Sequence, residues 1–209
     1  MSSTAELLPK LIETASAAID KNADEITLLD QTLGDGDHVT NIQRGLAALI
    51  AQKNDISQLE WPAALQKMGM VVMSSVGGAS GSLYGTLFMA FGKALVGKDL
   101  NAQTFTDAFF QAVEAVKHRG KSDVGEKTML DVLVPVAHYL QGAAMATPLP
   151  ELLEQTKQVA VTGMESTRDL LASKGRASFL GERSKGYIDA GAMSSCLMIC
   201  AVVAELQAH

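Results

Sequence analysis

The chain reads as an all-α protein of about eight helices in a single domain, 1–209. Three observations carry that reading. Apolar residues recur at helical spacing through most of the length, and no segment alternates with the period of a strand. The composition also suits packed helices, being 47% hydrophobic but only 5% aromatic, and rich in Ala, Leu, Met and Gly. A sheet would ask for more Val, Ile, Tyr and Phe. With charged residues at 19% the chain is too apolar to stay disordered, and 209 residues can bury a sizeable core.

The first helix is expected over 4–22, where Leu7, Leu8, Leu11, Ile12, Ala15, Ala18 and Ile19 share a face. A shorter helix over about 24–30 ends where an acidic loop begins. The third runs from 38 to 53, with Ile42, Leu46, Leu49 and Ile50 facing inward. Helices over 58–75 and 80–96 flank Gly77-Gly78-Ala79-Ser80-Gly81. From Met68 to Gly92 no residue is charged, a length that would span a bilayer, but the Gly/Ser break makes it two buried helices joined by a turn. Beyond the polar break at Gly97-Lys98-Asp99, Thr104 is placed to cap a helix to about 118. A loop at 120–125 leads to a helix over 127–142, and Thr147-Pro148-Leu149-Pro150 marks the next boundary. A long helix over 150–173, an irregular segment over 175–191 and a last helix over 191–207 complete the chain.

The polar signals fall in four interruptions, 30–41, 77–81, 119–129 and 175–191, rather than on helix faces. In an up-and-down arrangement such loops meet at one end, where they can build one site. The densest signal is acidic: Asp30, Asp35 and Asp37 stand within eight residues, and Gly34 and Gly36 let the backbone fold tightly around them. No cation lies within that segment. Three carboxylates so placed repel one another, and a hard divalent cation such as Mg²⁺, which keeps positions for phosphate oxygens, is the natural partner. One Asp would suffice to cap a helix. An EF-hand is ruled out because Val39 and Leu46 occupy its fifth and twelfth positions. A helix starting near His38 would aim its first amides at the same anion, with His38, Thr40 and Asn41 adding donors.

The glycine-rich run at 77–81 suits either close approach to a phosphate or close helix packing. It is not a P-loop. Arg176 and Arg183, within Gly175 to Gly186, carry the forked donors that grip phosphate, and the same segment also reads as a solvated charged loop. Asp189 and Gly191 enter the last helix, where they either cap it or touch a ligand. Asp123, Glu126 and Lys127 read alone as a helix-entry signal. His118 and His138 receive no role. A net charge of −6 without a basic stripe argues against nucleic acid. Cys196 and Cys200, four apart in an apolar run, read as a core thiol pair. The start, Met1-Ser2-Ser3-Thr4-Ala5-Glu6, has the regions of no signal peptide, so a cytoplasmic setting without membrane contact is expected.

Four segments together resemble the L-type, nucleotide-binding subunits of dihydroxyacetone kinases: Gly34-Asp35-Gly36-Asp37-His38, Ser75 to Gly81, Gly125-Glu126-Lys127-Thr128-Met129-Leu130-Asp131, and Gly175-Arg176-Ala177-Ser178 through Gly181-Glu182-Arg183-Ser184. The resemblance runs through nearly the whole chain in the family's order. It implies an eight-helix antiparallel barrel with a nucleotide site at one end, holding ADP or ATP through two Mg²⁺ ions. The metal ligands fall on Asp30, Asp35 and Asp37. The nucleotide contacts fall on His38, Thr40, Asn41, Ala79, Ser80, Gly120, Met129, Arg176, Asp189 and Gly191, with Arg176 also the catalytic group.

The resemblance further implies that bound ADP is rephosphorylated by a phosphohistidine partner, the M subunit, and donates its γ-phosphoryl to dihydroxyacetone held on the K subunit. A homodimer stays open. So do two other roles, a nucleotide-state-sensing co-regulator of a transcription factor and a kinase subunit acting on a fatty acid. Two positions depart from the family. Asp189-Ala190-Gly191-Ala192 stands where the family has Asp-Pro-Gly-Ala, and Val39 after His38 is expected to bring bulk close to the phosphates.

Overall fold

In a computed structural model describing residues 5–208, the periodic segments form ten α-helices and one 3₁₀ segment, and no strand occurs among the described residues. The helices are α1 (Leu8–Lys21), α2 (Ala23–Leu33), α3 (His38–Ala51), α4 (Lys53–Ser57), α5 (Trp61–Ser75), α6 (Gly78–Leu95), α7 (Ala102–Gly120), α8 (Leu130–Ala143), α9 (Leu149–Ser166) and α10 (Ala190–Gln207). The 3₁₀ segment spans Arg176–Ser184. The expected helix start at residue 4, and the first four residues of the leader reading, lie outside the described residues.

Most boundaries follow from local chemistry. Pro9 and Pro62 sit in the first turns of α1 and α5, where a missing N–H costs nothing, so these helices begin at 8 and 61 rather than 4 and 58. Helix α7 is capped by Asn101, whose side chain accepts from the Thr104 amide while the Thr104 hydroxyl takes the Asn101 amide. Thr104 is thus the reciprocal member of a capping box and not the cap itself. Other boundaries follow from tertiary contacts. Helix α2 continues to Leu33 because that side chain packs on Ala172 and Ala177, which leaves Asp30 on the helix rather than in the loop. The short α4 buries Ile56 completely. Helix α9 stops at Ser166, seven residues before its expected end. There the Thr167 hydroxyl turns back to the Met164 carbonyl, and the chain leaves the helix to pair with residues 186–189.

Packing runs from α1 to α3, α5, α6, α7, α8, α9 and α10, and α10 returns to α1, so eight helices form a closed circuit. Thr14 of α1 donates to Glu205 of α10 at 2.9 Å across that closure. The α5–α6 crossing is close because both contact residues are glycines: a Cβ on Gly69 would lie 2.8 Å from the Gly85 carbonyl oxygen. The rings of Trp61, Phe105, Phe91 and Phe109 meet edge to face at 4.8–5.6 Å. Inside the circuit lies an apolar cavity of about 880 Å³ walled by residues such as Ile12, Leu46, Leu65, Phe91 and Leu133.

The charge-free stretch 68–92 divides between α5 and α6. Among the described residues, α10 alone is long and apolar enough to cross a membrane, and it packs against α1, α8 and α9. Its Cys196 is buried and Cys200 half-buried, with the two Sγ atoms 3.9 Å apart and unbridged.

Candidate functional site

The structure brings the four polar interruptions together. Asp30 on the last turn of α2, and Asp35 and Asp37 in the loop to α3, place one carboxylate oxygen each within 4.8 Å of the others. Gly36, at φ +77°, takes the left-handed conformation that lets this loop reverse. The Asp30 Oδ2 accepts the His38 amide at 3.0 Å, which docks the start of α3 against the acidic triad. Charge comes from far along the chain: the Arg176 guanidinium meets the Asp35 carboxylate at 2.7 Å. Both partners are solvent-accessible, so the pair contributes about 1 kcal/mol or less and leaves Arg176 free to exchange partners.

The His38 ring forms the floor beside the triad. Its Nδ1 lies 3.2 Å from the Ser80 hydroxyl and its Nε2 lies 2.9 Å from that of Ser194. Ser194 also donates to the Gly191 carbonyl, which leaves the imidazole to donate from Nε2 and to accept from Ser80 at Nδ1. Burial holds the His38 ring below the ordinary histidine range, against the opposing pull of the Asp30 and Asp37 carboxylates. Behind it the buried Tyr84 hydroxyl reaches Ser194 and Ser195, and burial pushes this phenol up.

Glycines in the 77–81 run divide between two tasks. Gly81 is a packing glycine, since a Cβ there would lie 2.1 Å from the Val76 carbonyl oxygen. Gly78, at φ +64° with open space around it, is exposed and starts α6. The first intrahelical bond of α6 runs from the Gly81 amide to Gly77, so the amides of Gly78, Ala79 and Ser80 precede it and suit an anion. Asn41 is buried, with its side-chain oxygen against Gly77, whereas Thr40 is exposed on the first turn of α3.

From the other side, the Asp189 side chain caps α10 by accepting the Ala192 amide at 2.8 Å. Its carboxyl is pushed up to about 6, chiefly by burial, with the Ala192 amide and the Lys127 ammonium opposing. Gly191 approaches Met129: a Cβ on Gly191 would lie 3.6 Å from the Met129 amide nitrogen. Gly120 ends α7 beside Leu83 of α6, and Arg119 next to it donates to the Ser82 hydroxyl at 2.7 Å.

Two expectations change. Val39 turns into the core, 6% exposed, and brings no bulk toward the site, because its side chain is buried in the main hydrophobic cluster. Lys127 is not part of a helix entrance. Its side chain is 1% exposed, and its ammonium donates to the Thr167 and Tyr187 carbonyls. Burial presses this ammonium below the ordinary lysine range, opposed by the Asp189 and Asp131 carboxylates. The entrance to α8 is built instead by Asp131, which accepts the Gly125 and Thr128 amides. Ser194 and Tyr84 gave no sequence signal, since both sit in helix-period runs where small or aromatic residues read as packing. The Asp-Ala-Gly-Ala departure is absorbed: Ala190 takes the first helical position that proline favours, and Asp189 caps regardless.

Oxygen-only ligands on a tight loop suit a hard divalent cation. With Mg–O distances of about 2.1 Å, opposite ligands of one octahedron lie about 4.2 Å apart, which three mutually close carboxylates can span. The fold and site therefore define an all-helical domain with a candidate cation-and-phosphate site where several helix ends meet. The chain belongs to the DAK2 domain family, whose model matches residues 32–204. It is 38% identical over 185 residues to the ADP-binding subunit DhaL of PEP-dependent dihydroxyacetone kinase 1 from Listeria innocua, covering 88% of each chain. To the corresponding Escherichia coli subunit it is 38% identical over 176 residues, covering 83% of this chain and 84% of that one. The fold matches that of the C. freundii dihydroxyacetone kinase solved with AMP-PNP and Mg²⁺, with a TM-score of 0.75 and 22% identity. That match covers 98% of this chain and 34% of the other.

Proposed function

We propose that this chain is the nucleotide-carrying subunit of a dihydroxyacetone kinase, built as a helical barrel with its site at one end. The observation that carries the reading is the convergence at one place of the Asp30, Asp35 and Asp37 carboxylates, the first amides of α3 and α6, and Arg176. That its relatives from Listeria innocua and Escherichia coli are ADP-binding subunits of dihydroxyacetone kinases supports it. Asp30, Asp35 and Asp37 would hold two Mg²⁺ ions, which when bound neutralise charge between the β- and γ-phosphates. His38, Thr40, Asn41, Ala79, Ser80, Gly120, Met129, Asp189 and Gly191 line the ground from which a nucleotide would be gripped.

In this reading the chain's residues do little covalent work. The early amides of α6, those of Gly78, Ala79 and Ser80, donate to phosphate oxygens. Arg176 leaves its exposed pairing with Asp35 to stabilise the oxygens of the phosphoryl group in transit. The phosphoryl group arrives on bound ADP from the phosphohistidine of an M subunit. It leaves to a hydroxyl of dihydroxyacetone held on a K subunit, which also supplies any general base.

Two measurements test this. ADP should co-purify with the chain, and dihydroxyacetone phosphate should form only when K and M subunits and a phosphoenolpyruvate-driven donor are present. Rapid exchange of bound ADP for ATP, with steady turnover on ATP alone, would refute the coenzyme role. Separately, Asp35→Asn or Asp37→Asn should lose Mg²⁺ and ADP binding together in calorimetry while keeping the helical circular dichroism. Undiminished ADP affinity in both variants would overturn the metal assignment.

A further inference from the structure

We propose that Lys127 is a positioning residue for the nucleotide, its buried side chain fixing the gap between Met129 and the Asp189–Gly191 segment across which the ligand is gripped. The inference rests on the nucleotide-binding reading above. Three segments meet at its Nζ. One is its own loop between α7 and α8, another is the exit of α9 through the Thr167 carbonyl, and the last is the approach to α10 through the Tyr187 carbonyl.

Neighbouring contacts make this a rigid knot rather than a single tie. The Thr167 hydroxyl accepts the Asp189 amide at 3.0 Å while donating to Met164 at 2.7 Å. Gly186 donates its amide to the Arg168 carbonyl at 2.8 Å. On the far side of the loop, Glu126 accepts the Ser173 hydroxyl at 3.0 Å. Met129 stands two residues from Lys127, and the Gly191 approach to Met129 is the place where the two candidate nucleotide segments touch.

Lys127 is an expensive choice on stability grounds alone. Its φ of +61° lies in the left-handed region, which costs a non-glycine residue about 1–2 kcal/mol. Its charge is also fully buried, where an apolar side chain of similar volume is often no less stable. Glycine would relieve the first cost and methionine the second. Backbone strain and buried charge of this kind concentrate where geometry serves a site. The charged groups facing the ammonium are Asp189, Asp131, Asp169 and Arg168. Carboxylates therefore balance it, while its hydrogen bonds go to backbone carbonyls, the arrangement that holds segments apart at a set distance.

The test compares Mg·ADP binding by calorimetry, after bound nucleotide has been stripped, in the wild-type chain, Lys127→Met, Thr167→Val and a control, Val113→Ala. Val113 is 1% exposed on α7 and outside the site. Lys127→Met should bind Mg·ADP at least tenfold more weakly, and Thr167→Val, which frees the Asp189 amide, several-fold more weakly. Val113→Ala should bind as wild type despite a lowered thermal midpoint. Wild-type affinity in both Lys127→Met and Thr167→Val would overturn the proposal, as would an equal loss in Val113→Ala, since the effect would then be one of stability alone. Should Lys127→Met not fold, Thr167→Val against Val113→Ala decides in the same way. A wild-type chain that binds no Mg·ADP would instead sink the functional reading on which the inference rests.

Discussion

Asp189 couples the last helix to the protonation state of the site. Its carboxyl is pushed up to about 6 by burial, well above the roughly 3.9 of an unfolded aspartate. The folded chain therefore holds this proton more tightly than the unfolded one. The resulting stability is fully present below about pH 4 and is lost as pH rises through about 6, by roughly 2–3 kcal/mol at about 1.4 kcal/mol per pH unit. Asn caps a helix as well as Asp, so Asp189→Asn keeps the bond to the Ala192 amide without the buried charge. In the absence of nucleotide, the thermal midpoint of Asp189→Asn minus that of wild type should grow from pH 4 to 6 and level off above. A difference that stays flat across this range would show that Asp189 titrates normally. At this scale the sequence spoke unevenly. The acidic triad was legible because three like charges in eight residues need a partner wherever they fold. The buried state of Lys127 was not, because a lysine in a polar loop looks alike whether its head meets water or two carbonyls.

Helix ends, more than helix faces, decide what the elements do. The entry to α8 shows why: Pro135 has no N–H to return to the Asp131 carbonyl four residues back, and α9 exploits the opening by laying Gly163 against it. A Cβ on Gly163 would lie 2.2 Å from that carbonyl oxygen. Gly163→Ala gains up to about 1 kcal/mol of helix propensity, but a backbone clash costs about 1–3 kcal/mol. The clash wins, and the thermal midpoint should fall. Because Asp131 also holds the Gly125 and Thr128 amides, Mg·ADP affinity should fall with it. Gly142, exposed near the end of the same α8 with nothing within 4 Å of an added Cβ, is the counterpart. Gly142→Ala should raise the midpoint by the propensity gain alone. The prediction fails if the two variants shift in the same direction. Helix existence was legible from apolar spacing throughout. The ends of α2 and α9 were not, because each is set by a tertiary contact, Leu33 on Ala172 and the Thr167 turn against residues 186–189, that no local pattern encodes.

Across the whole molecule, the closed circuit of eight helices places residues from Asp30 to Ser194 around one site, joined by bonds such as Asp35–Arg176 and His38–Ser194. The grouping of polar residues into four interruptions was readable, since it follows from where the apolar period breaks. The cross-connections were not, since a serine on α10 acquires its histidine only when α10 closes against α2 and α1. A site made this way exists only in the folded chain, so its ligand binds the native state and not the unfolded one. Such a ligand at a hundred times its Kd stabilises by about 2.7 kcal/mol. For a chain of this length each kcal/mol moves the thermal midpoint by about 2–4 °C, so saturating Mg·ADP should raise that of the chain stripped of nucleotide by roughly 5–11 °C. The rise should continue with the logarithm of ligand concentration beyond saturation. ADP with excess EDTA should give little of it, because without a cation the three carboxylates repel the phosphates they would otherwise hold. A midpoint unmoved by Mg·ADP, or moved as far by ADP in EDTA, would mean that the acidic triad is not where the nucleotide meets the fold.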